Sequence, residues 1–176
     1  MQKKTMLTIG ATAFVAASLS LSAYAAKGIL FPDWSQPGKG TWDAPAAEAG
    51  KKLPEDQPWT VTTMASSIMG KPVRGKTVSM VGEIIDISCY LQVGKHGDKH
   101  RDCGQKCARN GQPVGLLTKN GDVYILMDEE HDPRRDGLTT FRQFAVDNMG
   151  YIVRINGTNT EVEKQRAIYV TGFLKQ

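Results

Sequence analysis

One short segment of the chain carries all of its thiol groups and most of its imidazole groups. The three cysteines and two of the three histidines lie within "ISCYLQVGKHGDKHRDCGQKC", residues 87–107. Thiolate and imidazole are ligands that zinc and copper commonly take in proteins. The same side chains could instead form a disulfide, attach a haem or provide a reactive thiol. The spacing of the residues and the cellular compartment of the protein help to distinguish these possibilities.

The spacing within this segment favours a metal site. If residues 98–108 form a helix, three of the side chains share one face at positions i, i+3 and i+7. Cys89, at the end of the preceding strand, would complete a tetrahedral set of three cysteines and one histidine. The predicted ligands are Cys89, His100, Cys103 and Cys107. His96 lies just before the expected helix and replaces His100 as a ligand if the helix starts later.

Zinc in a structural role is the expected ion, with copper and iron as the alternatives. Basic residues close to the cysteines are expected to lower the thiol pKa and so to favour the thiolate that binds metal. These residues are Lys95, Lys99, Arg101, Lys106 and Arg109.

A disulfide is the main alternative to the metal site. Cysteines of exported proteins commonly pair, and a bond from Cys89 to Cys103 or Cys107 would attach the segment to the rest of the domain. Any single pairing leaves one cysteine over, which is typical of a free thiol, an intermolecular bond or a metal ligand. Three residues separate Cys103 from Cys107, and Cys107 is followed directly by Ala108 rather than by a histidine, so the thioredoxin and haem motifs are not matched.

The amino terminus predicts export. Lys3 and Lys4 precede an apolar run of small residues that ends in Ala-Tyr-Ala, which is typical of a bacterial-type signal peptide over residues 1–25. The expected location is the periplasm or the medium. In the alternative, residues 6–26 stay attached and anchor the protein to the membrane, since about 20 apolar residues span a bilayer.

Charge and length limit the kinds of partner. The chain has 22 basic and 18 acidic residues, and removal of the signal would take away two lysines and leave a net charge of +2. Such a balance gives no argument for nucleic-acid binding, which needs a strongly basic surface. The part of the chain after the signal has the length of one domain with its own core.

The remaining chain divides into an arm and a barrel. Residues 26–75 hold most of the eight prolines and three separated tryptophans without a regular period, which predicts an extended arm. Trp34 and Trp42 are candidates for binding another protein of the cell envelope. From residue 76 onward, alternating apolar residues predict a long first strand, bent at Gly82.

Residues 76–176 are predicted to form five strands and one helix. Asn120-Gly121 indicates a hairpin between the second and third strands. "TTFRQFAVDNMG" predicts a helix that ends near Gly150, and two further strands follow it. This order, mainly β with one helix between strands three and four, resembles the OB-fold, a five-stranded Greek-key barrel. The cysteine and histidine segment is then an insertion, residues 91–112, after the first strand.

Two short motifs carry a further resemblance. "CYL", the cysteine- and histidine-rich sequence after it, and "GQPVGLL" are similar to small secreted bacterial OB-fold-like domains with no characterised role. This resemblance implies a fold and no activity. The sequence therefore predicts an exported metal-binding accessory protein rather than an enzyme. The alternative is an accessory subunit of a membrane or respiratory complex in the envelope, with the cysteines forming a disulfide.

Overall fold

The computed structural model describes residues 35–129 and 137–171. The predicted signal segment, Trp34 and His131 lie outside the described residues. The strands are β1 (Glu48–Ala49), β2 (Gly75–Asp86), β3 (Val114–Leu117), β4 (Val123–Asp128), β5 (Ile152–Val162) and β6 (Gln165–Val170). The helices are α1 (Val61–Ser66), α2 (Ile87–Val93), α3 (Arg101–Arg109) and α4 (Thr140–Asp147), with short 3₁₀ helices at Ile68–Gly70 and Asp98–His100.

Five of the strands close into a barrel. They are hydrogen-bonded in the order β5-β2-β3-β4-β6, and β6 pairs back onto β5. Within this barrel β4 and β6 run parallel, while the other neighbouring pairs are antiparallel. Helix α4 lies between β4 and β5 in the chain, where the sequence predicted a helix. The prediction of a mainly β, OB-like barrel is confirmed.

Strand β2 changes partner near Gly82. Residues 75–83 pair with β5 and residues 83–86 pair with β3, so the change of partner falls next to the glycine at which a bend was predicted. A Cβ on Gly82 would lie 2.6 Å from Leu116 Cγ, which is closer than side chains approach. Glycine is therefore needed at the predicted bend because the neighbouring strand leaves no room for a side chain.

The core lies inside the barrel and beneath the helices. Ile84, Leu116 and Ile155 are fully buried strand residues, and Phe141 of α4 is 1% exposed. Helix α4 begins at a capping hydroxyl, because Thr139 Oγ1 accepts from the backbone N–H of Arg142 at 3.1 Å. Ala108 of α3 belongs to the same core, so the predicted insertion packs against the barrel.

Residues 46–49 of the arm run beside β5. The backbone N–H of Ala46 donates to Ile152 O at 2.8 Å, and that of Arg154 donates to Ala47 O at 2.9 Å. Trp59 is 5% exposed, and its ring meets Tyr169 edge-on. Trp42, one of the two tryptophans predicted to bind a partner, is half-buried.

None of the helices in the described ranges combines the length and apolar character needed to cross a bilayer.

The close contact at Gly82 predicts a clear stability effect. Gly82→Ala should lower the free energy of unfolding by about 1–3 kcal/mol, the usual range for overpacking a core, because its Cβ would press on Leu116. Urea unfolding followed by circular dichroism measures the change. Gly137→Ala is the matched control, since no atom of the described residues lies within 4 Å of its Cβ position. Equal stabilities of the two variants would contradict the packing argument.

Candidate metal centre

Asp86 is the last residue of β2 and the N-cap of α2. Its Oδ1 accepts from the backbone N–H groups of Ser88 at 2.9 Å and Cys89 at 3.4 Å, which caps the first turn of the helix. The helix ends at Gly94, whose φ of 70° is the left-handed conformation that glycine adopts readily. Cys89 was expected at the end of the strand but lies in the first turn of α2.

Helix α3 is held against the barrel by close packing. A Cβ on Gly104 would lie 2.9 Å from Met149 Cγ and Sδ, so only glycine lets the helix approach this far. Arg101 donates from Nη1 to Met149 O at 2.6 Å and from Nη2 to Asp147 O at 2.7 Å. Its guanidinium also stacks 3.9 Å from the centre of the Tyr151 ring. These contacts fix the helix that carries two of the cysteines.

The helices bring all three cysteines together. The ligand atoms of Cys89, Cys103 and Cys107 lie within 4.8 Å of one another. A second group, Asp86, Cys89 and His100, satisfies the same limit. We call these five residues the donor cluster: Asp86, Cys89, His100, Cys103 and Cys107. All three cysteines are free thiols, with Cys103 exposed and the other two half-buried.

Every residue of the predicted four-ligand set enters the donor cluster, but the four do not form a single group. Among the described residues, His100 meets the 4.8 Å limit together with Cys89 and Asp86, not together with all three thiols. The cluster could hold a metal ion, and its two halves share Cys89.

Two buried polar atoms of the cluster have no hydrogen-bond partner within the described parts of the chain. They are His100 Nε2 and Asp86 Oδ2, on residues that are 5% and 1% exposed. A buried polar atom without a partner costs roughly 1–3 kcal/mol. A cation bound beside Cys89 would offer a partner to both of these atoms.

His96 lies outside both groups of the donor cluster. Its Nδ1 is 2.9 Å from Glu83 Oε2, and Glu83 Oε1 also accepts from the backbone N–H of Gly97 at 2.6 Å. Glu83 is 2% exposed, so this is a buried carboxylate contact that the sequence did not reveal. The contact of His96 with Glu83 therefore holds the loop that leads to His100 against the barrel.

The thiol pKa values move in the direction opposite to the expected one. Burial, followed by the neighbouring Asp86 carboxylate, raises the pKa of Cys107 to about 12 and also raises that of Cys89. Lys95 lowers the pKa of Cys89, but its effect is smaller than that of burial. The expectation of lowered thiol pKa values is therefore wrong for Cys89 and Cys107. Without a cation these thiols hold their protons, and metal binding must displace them.

The pKa of His100 is lowered, and burial is the largest cause of this shift. The imidazole is therefore neutral at physiological pH, which is the form that binds a metal ion.

Asp86 is the residue of the cluster that was not predicted from the sequence. An aspartate directly after an apolar strand is a frequent helix cap, and this was the available signal.

Comparison with protein-family models, with curated proteins and with solved structures gave no match. A function for this chain must therefore be inferred from the geometry and chemistry of the donor cluster.

The raised thiol pKa predicts slow alkylation. In the reduced, metal-free protein at pH 8, Cys107 should react with iodoacetamide at least about tenfold more slowly than a free cysteine, because reactivity follows the thiolate fraction. Asp86→Asn keeps the capping oxygen but removes the negative charge, so both Cys107 and Cys89 should react faster. Mass spectrometry of the cysteine peptides over time measures these rates.

The matched control for that experiment is Asp102→Asn, which removes an exposed carboxylate from the same helix as Cys107. It should leave the alkylation rates unchanged. Equal acceleration by the two variants would show that general charge, and not the contact with Asp86, governs the thiols.

Proposed function

We propose that this chain is an exported metal-binding accessory protein and that the donor cluster is its metal site. The observation that carries the proposal is the meeting of two buried side chains, His100 and Asp86, beside a cysteine that also groups with two other thiols. Each of the two has one polar atom without a hydrogen-bond partner in the described residues. Three thiolates, an imidazole and a carboxylate are all groups that bind transition metals.

Zinc is the proposed ion. Three cysteines and one histidine form a known structural zinc set, and aspartate is also a zinc ligand. The cysteines come from two different helices, so an ion bound between them would join α2 to α3. Zinc suits such a structural role because it has no redox chemistry. Copper and iron remain the alternatives, because thiolates also bind Cu(I) and iron–sulfur clusters.

The alternative function, an accessory subunit whose cysteines form a disulfide, uses the same residues differently. A disulfide needs two sulfurs about 2.05 Å apart, and it leaves the third thiol and the unpartnered atoms His100 Nε2 and Asp86 Oδ2 as they are. The three free thiols and the convergence of His100 and Asp86 support the metal site instead.

Metal content should separate the two functions. Wild-type protein purified without a metal-binding tag should carry zinc, and His100→Ala should lose at least about half of it, because zinc sites depend on each of their ligands. Cys89→Ser should lose most of the zinc. Elemental analysis measures the metal, and thermal unfolding with and without reductant measures stability.

His96→Ala is the matched control, because it also removes an imidazole but one that contacts Glu83. It should retain more zinc than His100→Ala. A wild-type protein that holds no metal, shows one free thiol and loses stability only on reduction would rule out the metal site and favour the disulfide.

Export belongs to the proposal and has its own test. The run of small apolar residues that ends in Ala-Tyr-Ala should be cleaved after Ala25, because this order suits a signal peptidase. Mass spectrometry of the native protein should therefore find a chain that begins at Ala26. Recovery of chains that retain Met1 from the membrane fraction would favour the anchored alternative, in which residues 6–26 hold the protein at the bilayer.

A further inference from the structure

We propose that the donor cluster binds two metal ions and that the thiolate of Cys89 is shared between them. This inference rests on the proposed function. The cluster consists of two groups of three donors, and Cys89 is the one residue that both groups contain. Cys103 and Cys107 complete the first group, and Asp86 and His100 complete the second.

The distances do not favour one four-ligand ion. Donor atoms around a tetrahedral zinc ion lie about 3.8 Å apart when both are sulfur and closer when one is nitrogen, given the usual zinc–ligand bond lengths. The 4.8 Å limit already allows more than this. Even so, among the described residues His100 does not group with all three thiols. A single ion with these four ligands would therefore require the loop before α3 to move.

The chemistry of the two groups suits two ions. The first group is all sulfur, which fits a thiophilic ion such as zinc. The second contributes sulfur, nitrogen and oxygen, each of which is a normal zinc donor. A thiolate sulfur has several lone pairs, so Cys89 can bind an ion on each side. Each ion then has three protein ligands and takes water as its fourth.

Charge also favours two ions over one. When zinc is bound, the three thiolates and the Asp86 carboxylate together carry four negative charges. One divalent ion leaves two of these uncompensated, although Asp86 is only 1% exposed. Two divalent ions make the whole site neutral. Because an unpaired charge in a buried position is strongly unfavourable, the second ion stabilises the loaded site.

Zinc stoichiometry tests this inference directly. Untagged, reduced full-length or mature protein should bind two zinc ions per chain in the presence of a weak competing chelator. The double variant Asp86→Asn/His100→Ala should bind one, at the all-sulfur group. Asp102→Asn, which removes an exposed carboxylate from α3, is the control and should bind two. Circular dichroism confirms that each variant is folded.

Cadmium-113 NMR adds a test of the shared sulfur in the unaltered protein. Two signals are expected, one typical of a sulfur-rich site and one of a mixed site, with scalar coupling between the two cadmium nuclei through Cys89. The double variant should lose the mixed-site signal. Two uncoupled signals would overturn the sharing of Cys89.

The outcomes separate this inference from the proposed function. One zinc ion per wild-type chain would overturn the second ion and leave the metal-binding function intact. No zinc in the wild-type chain would overturn both. Two ions in wild-type protein that both persist in the Asp86→Asn/His100→Ala variant would also overturn the inference, because the second ion would then lie elsewhere.

Discussion

The buried carboxylate of Asp86 is the constraint on which the donor cluster depends. One oxygen caps α2 at the end of the long strand of the barrel, while the other is buried without a hydrogen-bond partner in the described residues. If the strand continued, alternate side chains would face opposite sides of the sheet and Cys89 would be carried away from α3. Burial and then this same carboxylate raise the pKa of Cys89 and Cys107, so the group that helps to assemble the cluster also disfavours the thiolate forms of these cysteines in the absence of a cation.

The other half of the cluster depends on how closely α3 approaches the barrel. Gly104 allows contact with Met149, and Arg101 fixes the start of the helix through backbone carbonyls at the end of α4. Ala108 then lies in the common core. Cys103 and Cys107 are thus placed by core packing before any ion binds. A site on packed helices is better ordered than one on a loop, and binding an ion there costs less conformational entropy.

The barrel was predictable because its signals are local. Period-two alternation, the Asn120-Gly121 turn and the amphipathic α4 each report on a few neighbouring residues, and helical spacing likewise placed Cys103 and Cys107 on one face. The features that were missed depend on tertiary burial. The fold brings the imidazole of His96 to the carboxylate of Glu83, which is buried in the barrel. The thiol pKa values are raised mainly by burial and are not lowered overall by the nearby lysines. A count of charges along the sequence contains no information on either effect.

The loop between α2 and α3 connects the cluster to the amino-terminal arm. Glu83 holds the loop from the barrel, and the backbone N–H of Asp98 donates to Gln36 O at 2.9 Å from the arm. A Cβ at Gly97 would overlap Ser35 O, so the arm passes directly over the loop. The sequence suggested that the arm binds a partner, yet its described start contacts the loop that carries His100. The imidazole donor therefore lies two residues from a backbone contact with the arm, at Asp98, whereas Cys103 and Cys107 are positioned by the packing of α3 on the core.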